Sequence, residues 1–132
     1  MATRQAKPFK VKVHETLRYI MRLTEEGYEA WCIDAGAVGL GDTQQEAFRD
    51  LIVNLEALYK YASEEGLKWL DTASDEEERL YARLAARKPV DPAVLGYGVV
   101  QRIEIVPTAA GRKLKLPSPS GFEISQHTSL AA

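Results

Sequence analysis

An α+β fold is the class this sequence predicts: a three-stranded antiparallel meander, a long helix, a second shorter helix and a late strand joining the sheet. Three observations carry that expectation. Apolar and polar residues alternate from Phe9 to Leu23; two short strand-like runs follow behind glycine-bearing turns; and after Thr43 the apolar period switches from two to about 3.6. The apolar share of 45%, with a net charge of only -2, is what a chain with a core requires. No stretch approaches the roughly 18 consecutive apolar residues of a membrane span.

On the odd positions, Phe9, Val11, Val13, Leu17, Tyr19, Met21 and Leu23 form one apolar parity, interrupted by Glu15. The even positions, Lys10, Lys12, His14, Arg18 and Arg22, form a basic stripe read as a polar outer face. Such a run is long for one strand, so a bend or bulge is expected near Glu15 and Thr16. Thr24-Glu25-Glu26-Gly27 supplies a turn into a second strand, Tyr28 to Asp34. Ala35-Gly36 is another break, and Ala37 to Gly41 is a short third strand.

Thr43-Gln44-Gln45-Glu46 reads as a capping box. Ala47, Phe48, Leu51, Ile52, Leu55, Leu58, Tyr59 and Ala62 recur at steps of three and four, and Gly66 suits the residue after a helix end. The spacing predicts a helix over about 43–65. Ser74-Asp75-Glu76-Glu77 opens a second helix that stops at Pro89, thin in apolar content and expected to lie on the surface with pairs such as Asp75 to Arg79. Residues 89–98 read as a connection and Val99 to Val106 as the late strand. From Pro107 the composition turns to Ala, Gly, Pro and Ser. The expected division is a domain over 1–106 and a loosely structured tail over 107–132.

The order of elements, with Gly27-Tyr28-Glu29-Ala30 before a loop and Gly41-Asp42-Thr43-Gln44-Gln45-Glu46-Ala47 at the helix start, resembles the HicB-like antitoxin family. That family has a partly degraded RNase H-like fold, and the similarity covers about residues 9–66. Where the family often has a Pro-Gly-Cys turn, this chain has Ala35-Gly36-Ala37. The resemblance implies a non-enzymatic antitoxin of a type II toxin-antitoxin system, neutralising a small basic, RNA-cleaving HicA-like toxin by protein–protein binding. It also implies a homo-oligomer, a dimer or larger. The alternatives are a solitary HicB-like interaction module without a toxin and a divergent metal-dependent nuclease. Residues 107–132 show neither helical periodicity nor a basic recognition helix, which speaks against operator-DNA binding.

Charge is distributed unevenly in a way that suits a basic partner. Residues 25–78 hold fifteen acids against three bases, while 1–24 and 79–132 are basic. Complementary charge speeds encounter and fixes orientation. The partner-binding candidates are Glu46, Asp50 and Glu56 among the acids and Tyr28, Trp31, Tyr59 and Trp69 among the aromatics, since aromatics concentrate at binding hot spots. No catalytic, cofactor or metal site is expected. A nuclease reading would need Glu15, Glu46 or Asp50, and Glu104 to converge on two cations. Cys32, the single cysteine, is expected as a buried small hydrophobe, and the chain as cytoplasmic.

Overall fold

The computed structural model describes residues 8–108 and 120–128. Seven elements follow in the order β1 (Phe9–Thr24), β2 (Gly27–Cys32), β3 (Ala37–Gly41), α1 (Gln44–Glu65), α2 (Asp75–Ala85), β4 (Val94–Pro107) and β5 (Ser120–Thr128). The strands form one antiparallel sheet in the order β3-β2-β1-β4-β5. The fold is therefore α+β.

The two helices cover opposite faces. Leu17, Tyr19 and Met21 of β1, Ala30 and Cys32 of β2 and Val100 of β4 pack with Ala47, Leu51 and Leu55 of α1. On the other face Ile20, Ile33, Val94 and Tyr97 pack with Leu84 of α2, flanked by Leu80 and Tyr81. The second helix lies on the surface, as expected, and buries only Leu84 against the sheet. Its thin stripe suffices because only a few side chains need to meet the sheet. Among the described residues Asp75 and Arg79 form no ion pair, and it is Glu78 that ties the helix down, through Arg18.

Both helix starts follow from their sequences. Thr43 Oγ1 accepts from the Glu46 amide at 3.1 Å, while the Glu46 carboxylate reaches back one residue beyond the cap, to the Asp42 amide at 2.9 Å. Ser74 and Glu77 complete a reciprocal capping box. Gly66 closes α1 with a left-handed φ of 65°.

A bulge in β1 redirects the sequence pattern. The register with β4 shifts between Val13 and Glu15, leaving His14 as the extra residue, one position before the bend expected. Val11 and Val13 pair with Ile105 and Ile103, on the face opposite Leu17, and are 52% and 47% exposed. The single apolar parity of the sequence is therefore two half-stripes on different faces. The basic stripe divides the same way, with Lys10 and Lys12 on one face and Arg18 and Arg22 on the other.

Two segments expected to be irregular are strands. β4 begins at Val94, within the span read as a connection. Its glycines allow close passage: a Cβ on Gly98 would stand 2.9 Å from the Tyr19 ring and 1.9 Å from the Ser125 carbonyl oxygen. Residues 120–128, expected within a loose tail, pair with β4 from Gly96–Thr128 to Glu104–Ser120. Phe122 and Ile124 carry the reason, since both pack against the α1-side core. The remainder of the expected tail, apart from residues 107 and 108, lies outside the described residues.

Candidate functional site

The close seat of α1 on β3 shapes the candidate site. Cβ atoms on Gly39 and Gly41 would lie 2.2–2.8 Å from the backbone of Glu46, Ala47 and Leu51. These glycines let the helix approach the strand, which is more than the turn or strand-end role their spacing suggests. Alternation then sends Val38 and Leu40 to the face away from α1, where they stay 37% and 48% exposed. Val38 pairs with Trp31, and Leu40 with Glu29. Trp31 is half-buried, with the Arg22 guanidinium 4.7 Å over its ring, and Arg22 also bonds Glu29 at 2.7 Å.

Carboxylates from α1 rim this apolar strip along the outer edge of β3. The Leu40 amide donates to Asp50 Oδ2 at 2.9 Å, and Asn54 Nδ2 donates to the Val38 carbonyl at 2.6 Å. Two outward backbone groups of β3 are thereby satisfied by helix side chains. Glu46 sits one turn earlier, bonded to the Asp42 amide. Among the described residues Asp42, Glu46 and Asp50 form no ion pair. Trp31, Val38 and Leu40 with these three acids make an apolar strip beside a negative edge.

The remaining candidates collect elsewhere. Tyr59 and Trp69 meet edge to face at 5.2 Å, Trp69 meets Phe122 at 6.1 Å, and Arg102 lies 4.4 Å over the Tyr59 ring. Next to them, α1 and β5 bound an open groove of about 540 Å³, lined by Phe48, Arg49, Ile52, Val53, Glu56, Phe122 and Ile124, with Gln45 at one end. Tyr28 packs partly against the α1-side core. The seven residues singled out from sequence thus divide: Trp31, Glu46 and Asp50 gather at β3, Glu56, Tyr59 and Trp69 at the far side of α1, and Tyr28 is largely structural. Sequence reasoning missed Val38, Leu40 and Phe122. Val38 and Leu40 lie on the strand expected over Ala37 to Gly41, where alternation alone does not say which face stays uncovered, and Phe122 falls within the span expected as a loose tail.

The nuclease geometry is not what these carboxylates form. Glu15 is bonded by the Arg102 guanidinium beneath Tyr59, which explains an acid on an apolar parity, and the Arg102 pKa is raised by that hydrogen bond. Glu104 bonds His14 at 2.8 Å, and Glu46 lies at the start of α1. Among the described residues no group of three or more His, Cys, Asp or Glu could hold a metal ion. Cys32 is fully buried and burial pushes its thiol up to about 11, so it is a poor nucleophile at neutral pH.

Arg18 forms the main polar link between the sheet and α2. Its guanidinium bonds Asp34 at 2.7 and 3.0 Å and Glu78 at 2.6 and 2.7 Å, while its amide donates to Asp34 at 2.8 Å. Burial pushes the Asp34 carboxyl up, but the bonds from Arg18 outweigh it and hold the pKa below the ordinary value. Glu78 is likewise held low by Arg18. Among the described residues no helix is long and apolar enough to cross a membrane. Comparison with family models, curated proteins and solved structures finds no match to this chain.

Proposed function

We propose that this chain is a non-enzymatic, HicB-like antitoxin module that neutralises a small basic, RNA-cleaving toxin by covering it, and that it holds that toxin on the β3 side. One observation carries the reading: a strip of half-buried Trp31 and exposed Val38 and Leu40 lies beside three carboxylates that no cation neutralises among the described residues. An apolar strip with a charged rim is how a protein interface is built, with burial supplying affinity and charge supplying orientation. A phosphate-binding toxin surface is basic, so acids at this edge complement it. The two-sided packing of the sheet adds support, because it presents the strip on a rigid support rather than on a loop.

Co-expression with the small basic protein encoded beside the gene tests the proposal. The expected result is a stable complex and relief of growth arrest, with Leu40→Lys weakening binding at least about tenfold through lost burial and like-charge repulsion. Val53→Lys, on the far side of α1, should leave toxin binding unchanged. A folded chain that fails to bind, or a complex indifferent to Leu40→Lys, overturns the assignment; the first result favours a solitary interaction module.

A further inference from the structure

The two edges of the sheet are built differently. β3 is five residues long, and its outward amide at Leu40 and carbonyl at Val38 are occupied by Asp50 and Asn54. β5 is nine residues long, and among the described residues no backbone or side-chain group bonds its outer side. It contains no Lys, Arg or Pro, the residues that usually blunt an edge. His127, its one residue besides Glu123 that can carry charge, is stacked on Tyr97 at 5.1 Å. A sheet edge of this length, unbonded among the described residues, is a template for another strand.

Alongside that edge runs the groove between α1 and β5. Its floor is Phe122 and Ile124; its helix wall is Phe48, Ile52 and Val53, with Val53 60% exposed. Arg49 and Glu56 line the same wall seven residues apart, about 10 Å along the helix, with opposite signs. That spacing is self-complementary. A half-turn about an axis passing between Ile52 and Val53 lays the helix antiparallel to its copy, and sets Arg49 against the partner's Glu56 and Glu56 against the partner's Arg49.

A half-turn also suits β5. Its middle residue is Ile124, so antiparallel pairing about that point places Glu123 opposite the partner's Ser125, and Phe122 opposite the partner's Gln126. No like charges meet, and Ile124 meets its own copy. We propose that two copies of this chain associate through the outer edge of β5 and the adjoining α1 groove, so that two five-stranded sheets run on as one about a two-fold axis. A strand from an unrelated protein would use the open edge equally well. It is the reciprocal Arg49 and Glu56 pair, flanking an exposed valine, that identifies the occupant as a second copy.

Sedimentation equilibrium of the full chain over about 1–100 µM tests this, with circular dichroism confirming the fold of every variant. The expected wild-type species is a dimer. Arg49→Glu and Glu56→Arg should each weaken it at least about tenfold, because each creates two like-charge contacts by symmetry, and the double variant should return to within about threefold of wild type. Amide exchange should show protection on both alternating sets of β5 amides in the dimer, with the outward set exposed in Val53→Lys. A monomer throughout this range overturns the proposal. So does a dimer that ignores both charge reversals.

Discussion

Replacing Gly39 by alanine probes the element on which the candidate site depends, the seat of α1 on β3. A Cβ at that position would stand 2.2 Å from the Ala47 carbonyl oxygen, 2.3 Å from the Leu51 nitrogen and 2.7 Å from the Leu51 Cα. All three are backbone atoms, so no side-chain rotation relieves the overlap. Restoring even a tight contact of about 3 Å moves the helix away by about 0.8 Å, enough to forfeit a quarter to a half of each dispersion contact it breaks. Ala47, Leu51 and Leu55 are fully buried at this seam. Overpacking strain with these losses gives about 3 kcal/mol or more. Two glycines with open space around them serve as references. Gly66→Ala meets nothing within 4 Å but keeps a left-handed φ of 65°, costing about 1 kcal/mol, whereas Gly121→Ala has neither obstacle and should stay within about 0.5 kcal/mol of wild type. Urea unfolding followed by tryptophan fluorescence reads all three. If Gly39→Ala costs no more than Gly66→Ala, the close helix–strand approach is not what fixes β3.

Two further predictions concern the polar link and the buried thiol. Asp34 and Glu78 have depressed pKa values in the fold, so their contribution to stability is present above the ordinary values of 3.8 and 4.5 and is lost as pH falls through the depressed ones. Arg18→Met should lower stability at pH 7 by about 1–2 kcal/mol, through the half-buried Asp34 left with only the backbone amide of residue 18 as donor. The gap between variant and wild type should narrow as pH drops below about 4; a gap constant from pH 7 to pH 3 would sink the assignment. Cys32, with its thiol pushed up to about 11, should resist a thiol reagent at pH 8 in the folded chain and react at once in denaturant. Rapid labelling under native conditions would contradict its burial.

What was legible in the sequence was whatever a local signal encodes. The 22 residues of α1 announce themselves through Thr43, the stripe from Ala47 to Ala62, and Gly66. The three-strand meander is equally local, since each strand is separated from the next by a turn of few residues. Illegible were features decided across the sheet. Only the pairing with β4 discloses that His14 is a bulge, and the bulge reverses which residues of Phe9–Val13 face which layer. Gly98 reads as a loop glycine because the Tyr19 ring beside its missing side-chain space is some eighty residues away. β5 escaped for a related reason: Phe122 and Ile124 are two apolar positions among serines and a glutamine, and acquire meaning only beside α1.

The acidic middle of the chain illustrates the same limit, and refines the functional argument. Along the sequence, residues 25–78 look like one negative surface. In the fold α1 and α2 lie on opposite faces, so the acids of one helix cannot join those of the other in a single patch. Several are also committed internally: Glu29 to Arg22, Asp34 and Glu78 to Arg18, and Glu77 to the start of α2. Net charge over the segment therefore overstates what a basic partner would meet. What remains is local, and the edge of β3 concentrates it, because there Glu46 and Asp50 bond only backbone amides among the described residues and keep their charge uncompensated. The bonds that occupy the Leu40 and Asp42 amides hold those carboxylates in place. Satisfying these edge amides and presenting charge are one arrangement, so the proposed recognition at β3 would rest on side chains, while the proposed pairing at β5, the opposite end of the sheet, would use backbone groups that nothing bonds among the described residues.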